Sequence, residues 1–187
     1  MATARRLHYT YADYLAVEHN SPVRHEYLDG EIFAMAGGTP EHAALAAQMI
    51  AVLQARLPAG CHVFSSDLKV RIEASGLTTY PDLSVVCGAV ERAASDANAI
   101  TNPTLLVEVT SPSTEEYDRG EKLSHYQRLP SLRAVVLVSH RSHELTVFDR
   151  DGDHWTKRDL GAGEHVELQS PKLAFAIDEV YAALTGL

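Results

Sequence analysis

Polar and apolar positions change period several times along this chain, and each change predicts an element. Between Thr10 and about Glu18, Tyr11, Tyr14, Leu15 and Val17 supply apolar positions for a short helix. From Arg24 to Met35 two strand-like runs flank Asp29-Gly30, a pair that tolerates the positive φ both centres of a type I′ turn require. A two-residue turn there sets Glu26 opposite Phe33, on the face that carries Leu28 and Met35. From Thr39 or Pro40 to Leu57 the pattern is helical, with Ala43, Ala46, Ala47, Ile50, Leu53 and Leu57 on one stripe.

Phe64 to Glu73 alternates, Leu68, Val70 and Ile72 against Asp67, Lys69, Arg71 and Glu73, which predicts one strand with a wet face. Asp82 to Cys87 is a second strand, opened by Pro81, where a proline costs no central hydrogen bond. Residues 88–102 form a polar, alanine-rich connection with room for one helical turn. Leu105 to Thr110 is nearly all apolar, the mark of a central strand covered on both faces. Ser113 and Glu116 have capping-box spacing for a helix to about Arg128. Strands follow at Arg133–Ser139, Glu144–Phe148, Trp155–Arg158 and Val166–Leu168, and a short helix runs from Ile177 to Leu184. With no repeat, low-complexity stretch or linker, residues 1–187 read as one α/β (α+β) domain with a mixed sheet.

Composition narrows the class. The chain is 45% hydrophobic and 22% charged, which excludes disorder, collagen-like repeats and coiled coil. No apolar run approaches the ~20 residues of a membrane span, and Met1–Arg6 leads into polar sequence without a signal core. A cytoplasmic location is expected. The formal charge is −9, so the surface as a whole is not the basic one that binding through phosphate neutralisation alone requires; a local basic groove is compatible with that total. Cys61 and Cys87 lie in strand-like apolar context and read as small buried hydrophobes rather than a disulfide or a metal pair.

Candidate chemistry lies in carboxylates at core-like positions. Glu108 interrupts the most apolar strand, Asp82 opens another, and Glu26 faces Leu28 and Met35. An uncompensated buried charge costs several kcal/mol, and three such acids need a common counter-ion. A hard divalent cation that keeps several waters meets that need. Asp118 and Lys122 stand one turn apart, with Tyr126 a turn further. Alone they read as a solvated ion pair; after the Glu108 strand, the lysine could reach the acids instead. The remaining polar groups read as structural: Ser113 as a helix cap, His42 as a partner for a core polar group, His140 and His143 as surface residues, and Trp155 as packing. Lys69 and Arg71 belong to the wet strand face, and Gly37-Gly38 lacks the lysine and context of a phosphate loop.

Tyr80-Pro81-Asp82, the run Leu106 to Thr114, and Asp118-Arg119-Gly120-Glu121-Lys122 with Tyr126 together resemble the Uma-two family of the PD-(D/E)XK nuclease superfamily. The likeness extends upstream to Tyr27–Glu31 and Pro40-x-His42 and downstream past Leu137-Val138, nearly the whole chain. The resemblance implies a restriction-endonuclease-like fold, a mixed central sheet flanked by helices with an N-terminal hairpin. It implies Asp82, Glu108 and the main-chain carbonyl of Val109 as ligands of Mg2+ or Mn2+, Glu26 as an accessory acid, and Lys122 as the catalytic lysine. Thr110 stands where the superfamily pattern has its lysine, so that role passes to the following helix, where Lys122 would position or deprotonate a water. The implied activity is metal-assisted phosphodiester hydrolysis, as a homodimeric DNA endonuclease. The competing reading, favoured by the net charge and Thr110, is a non-catalytic module of that fold that binds nucleic acid or a partner protein.

Overall fold

A computed structural model describes residues 7–187; Met1–Arg6, read above as lacking a signal core, lie outside the described residues. Thr10 caps α1 (Tyr11–Asn20) through a reciprocal pair of bonds with Asp13, satisfying amides that a helix start leaves open. The hairpin follows as β1 (His25–Leu28) and β2 (Glu31–Ala34). Asp29 and Gly30 have φ of 44° and 84°, and the register pairs Glu26 with Phe33, as the two-residue turn predicts. Thr39 caps α2 (Pro40–Gln54). Leu45, Met49, Val52 and the predicted Leu53 are buried, and the predicted Ala46, Ile50 and Leu57 pack against the same core. Ala43 and Ala47 are exposed, so the core face is rotated toward the larger side chains.

The predicted strand over 64–73 is two strands in two sheets: β3 (Cys61–Ser65) and β4 (Lys69–Ile72). A turn closed by Leu68 N–H donating to the Ser65 carbonyl at 3.1 Å carries the chain from one sheet to the other. Lys69 is buried, not on a wet face, because Asp96 pairs with it at 2.5 Å. β5 (Leu77–Thr79) and β6 (Leu83–Cys87) repeat the transfer, and the bend between them is Tyr80-Pro81-Asp82. Residues 88–102, predicted as a connection, contain β7 (Arg92–Ala93) and β8 (Asp96–Ile100). Asp, Asn and Ala disfavour strands; parallel pairing of β8 with β4 overrides that local preference.

β9 (Leu105–Val109) is buried throughout. Beyond it come α3 (Glu115–Tyr117), a π-helical turn at Asp118–Lys122, and α4 (Leu123–Tyr126). The predicted Ser113–Glu116 capping box does not form: the hydroxyls of Ser113 and Thr114 bond to Ser111 Oγ at 3.1 and 2.9 Å. β10 (Ala134–Val138) pairs parallel with β9 and antiparallel with β11 (Glu144–Asp151). β12 (His154–Gly161), the ribbon β13 (His165–Gln169) with β14 (Lys172–Ala176), and α5 (Ile177–Tyr181) complete the order.

Beside the β13–β14 ribbon stand two six-stranded mixed sheets, β2-β1-β5-β4-β8-β7 and β12-β11-β10-β9-β6-β3. Odd-numbered β9 residues pack with α2, α5 and the β13–β14 ribbon. Leu106 instead joins Leu123, Tyr126 and, from the first sheet, Val70 and Ile72. Coverage on both faces is why this strand is almost wholly apolar.

Cys61 and Cys87 are directly opposed across β3 and β6 and form a disulfide, correcting the expectation of two thiols. The register that brings them together is a long-range property that their spacing does not carry. Such crosslinks persist mainly in oxidising compartments, so the thiol state of this pair bears on the expected cytoplasmic location. Reduction is expected to lower the unfolding free energy by about 2–4 kcal/mol, the usual size for such a crosslink. Urea titrations with and without dithiothreitol measure it, and coincident curves would mean the bridge contributes nothing.

Candidate active site

Glu108 occupies the penultimate position of β9, on the strand face that carries Leu106 and looks toward α4. Asp82 sits on the bend between the sheets, where Val109 N–H donates to its Oδ2 at 2.8 Å. That bond ties the bend to the end of β9 and sets the two carboxylates side by side. His42, at the start of α2, reaches the same Oδ2 through Nε2 at 3.2 Å. Asp82 raises the His42 pKa by hydrogen bonding, against a smaller opposing effect of burial.

The segment after β9 supplies the counter-charge. Asp118, Lys122 and Tyr126 are four residues apart and all three are buried. The π turn that spans Asp118–Lys122 is a device common at functional sites. Lys122 Nζ lies 2.9 Å from Glu108 Oε1, 3.5 Å from Glu26 Oε1 and 3.7 Å from Asp118 Oδ1. Tyr126 donates its hydroxyl to Glu108 Oε1, and Thr79 donates to Glu26 Oε1. The solvated ion pair that the i,i+4 spacing suggests is therefore a buried one, because the helix packs this face against β9 and the hairpin.

One ammonium thus serves three carboxylates, with Asp82 as a fourth nearby. Burial is the largest effect on Glu108 and, reinforced by Asp82 and Asp118, pushes its pKa up to about 8 despite Lys122. Burial likewise raises Asp118. Burial alone would depress the Lys122 ammonium, but Glu108, Tyr126, Glu26 and Asp118 outweigh it and hold the pKa well above the ordinary lysine value. The surrounding acids thus favour the ammonium form of Lys122 in the metal-free cluster, the form that offsets their charge.

The structure brings together Asp82, Glu108, Val109, Lys122 and Glu26, all candidates from sequence. It adds His42, Asp118 and Tyr126. His42 and Asp118 are signalled as members of the segments that resemble the family, and Asp118 and Tyr126 also by their helical spacing from Lys122. Thr110 donates to the Val138 carbonyl at 3.2 Å and bonds His140 Nδ1 at 2.9 Å. His143 stacks on Tyr181, and Trp155 packs against the second core cluster.

Among the described residues no three His, Cys, Asp or Glu side chains converge as a ready-made metal cage. The hard-oxygen set of Asp82, Glu108 and the Val109 carbonyl suits an ion that retains several waters, as Mg2+ does. An acid cluster short of positive charge, with Glu108 pushed up to about 8, fits an added cation.

Comparisons with known proteins bear on the family and the fold. Residues 11–178 match the Uma2 family, described as "Putative restriction endonuclease". In Synechocystis sp. (strain ATCC 27184 / PCC 6803 / Kazusa), "Uncharacterized protein slr1290" is 39% identical over 175 residues, 92% of this chain and 90% of that protein. From the same organism, "Uncharacterized protein sll1609" is 28% identical over 162 residues, 86% of this chain and 91% of that protein. The fold is similar to a crystal structure of "a putative nuclease belonging to DUF820" from Anabaena variabilis ATCC 29413. The TM-score is 0.73 at 17% identity, covering 88% of this chain and 93% of that one.

Proposed function

The chain belongs to the Uma2 family, and from that membership together with its buried acid–lysine cluster we propose a divalent-metal-dependent nuclease that hydrolyses DNA phosphodiesters. The observation that carries this reading is Lys122 Nζ at 2.9 Å from Glu108, with Asp82 bonded to the adjoining Val109 amide. A structural role would be met better by apolar residues of similar volume at such buried positions.

Asp82, Glu108 and the Val109 carbonyl would hold Mg2+ or Mn2+. When bound, that cation supplies Lewis-acid polarisation of a phosphate oxygen and a water of lowered pKa. Lys122 donates a hydrogen bond that orients the attacking water or a non-bridging phosphate oxygen. Tyr126 fixes one oxygen of Glu108, and His42 fixes one oxygen of Asp82, so both carboxylates are oriented before substrate arrives. Glu26 shares the Lys122 charge from the hairpin. Water adds to phosphorus, one phosphorus–oxygen ester bond breaks, and a phosphomonoester and a hydroxyl leave. A two-fold homodimer, which would present one such cluster to each strand of a duplex, and a cytoplasmic location complete the reading.

Calorimetric titration of Mn2+ into metal-free protein tests it, because carboxylate sites bind Mn2+ readily. Saturable binding is expected for wild type and is lost in Asp82→Ala and in Glu108→Ala. Absence of binding at millimolar Mn2+ would favour a non-catalytic module of the same fold.

A further inference from the structure

Phe33 lies on β2, at the edge of its sheet, and is 46% exposed. Its direct partner across the hairpin is Glu26, and opposed residues of an antiparallel pair project from the same face, ~4.5–5.5 Å apart at Cβ. On that face Leu28 is covered by the core cluster of Leu123 and Tyr126, and Glu26 reaches Lys122 at 3.5 Å. Phe33 stands one strand further out, past the edge of that core. Its side chain therefore starts beside Glu26, the outermost acid of the cluster, and stays partly open to solvent. Phe33 belongs to neither core cluster, and an exposed aromatic on an edge strand invites non-native pairing.

We infer that Phe33 is a stacking platform for a nucleobase next to the phosphate handled by the acid–lysine cluster, which makes single-stranded or locally unpaired DNA the substrate class. This inference rests on the nuclease reading. The net charge of −9 limits what phosphate neutralisation can contribute to binding. Base–aromatic stacking adds affinity without sequence preference, since every base has a π face. A base that stacks on a protein ring has left its neighbour on that side, which is why the strand must be unpaired there.

The test is fluorescence anisotropy with a labelled single-stranded deoxyoligonucleotide in metal-free buffer, where no cleavage competes. Phe33→Ala is expected to weaken binding about 5- to 150-fold, the range for loss of one stacked base. Phe33→Tyr and Phe33→Trp are expected to bind as wild type does. On an abasic oligonucleotide of the same length, wild type and Phe33→Ala should bind alike. Unchanged Mn2+ binding and an unchanged thermal midpoint for Phe33→Ala would show that the cluster and the fold are intact. Equal binding of the base-containing probe by wild type and Phe33→Ala would overturn this inference alone. So would light scattering in which Phe33→Ala turns a dimer into a monomer, since the ring would then cover a second copy. Wild type that binds no oligonucleotide either in metal-free buffer or with Ca2+ added would overturn the nuclease reading as well.

Discussion

Glu108→Gln is expected to lower phosphodiester cleavage at least ~10³-fold and to abolish thermal stabilisation by Mn2+, without unfolding the protein. The first figure follows from the several kcal/mol a bound cation contributes to the transition state, at about 1.4 kcal/mol per factor of ten. The second follows from linkage, since a ligand stabilises the state that binds it only while its site is present. The fold should survive because the amide retains the oxygen that accepts from Tyr126 and from Lys122 at 2.9 Å. In the metal-free protein the carboxylate is itself unfavourable: burial, then Asp82 and Asp118, push its pKa up to about 8. Replacing it by a neutral isostere removes that unfavourable charge but also the nearest counter-charge of Lys122 at 2.9 Å, so metal-free stability should fall by less than the ~3–5 kcal/mol of an uncompensated buried charge. Glu108→Ala is the poorer probe, since it strands both Tyr126 and Lys122 and confounds lost chemistry with lost structure. Thermal unfolding with and without Mn2+, alongside cleavage of single-stranded and plasmid DNA, measures each part. Retention of both Mn2+ stabilisation and cleavage by Glu108→Gln would place the metal elsewhere.

What the sequence discloses about this site is what depends on near neighbours. Asp29-Gly30 dictates its own turn, and the turn fixes the register that sets Glu26 opposite Phe33. The apolar run from Leu105 to Val109 makes Glu108 conspicuous because a central strand tolerates no idle charge. The bend at Ser65–Asp67 is missed although its three polar residues break the alternation, because Phe64 and Leu68 on either side keep the same parity and let one strand be drawn through it. Lys69 then looks wet, although Asp96, far along the chain, neutralises it at 2.5 Å. His42 and the two cysteines fail in the same way. Each is explained by a partner that only the folded register supplies, Asp82 for the histidine and the opposite strand for the thiols. Asp118 is intermediate, since its helical spacing from Lys122 is legible but the burial that makes the pair consequential comes from β9 and the hairpin.

Lys122→Met is expected to destabilise the metal-free protein by about 3–5 kcal/mol, the cost of leaving a buried ion pair without one partner, and to reduce cleavage ~10²–10³-fold, the scale for losing one preorganised donor. Methionine preserves the length and packing of the stem, so the loss reports the ammonium rather than a cavity. Three carboxylates share that ammonium within 4 Å, and without it they must repel one another or take up protons. The same accounting predicts two rescues. Asp118→Asn removes one of the competing acids, so Lys122→Met should cost less in that background than in wild type, a coupling that a double-mutant cycle in urea isolates. Mn2+ should restore part of the stability of Lys122→Met but not its cleavage, because a cation held by Asp82 and Glu108 offsets charge without replacing the donor that orients water. A Lys122→Met protein as stable as wild type in metal-free buffer would mean that the acids are already neutral there. The cluster would then be a set of protonated carboxyls, and Lys122 would have no electrostatic part in holding it together.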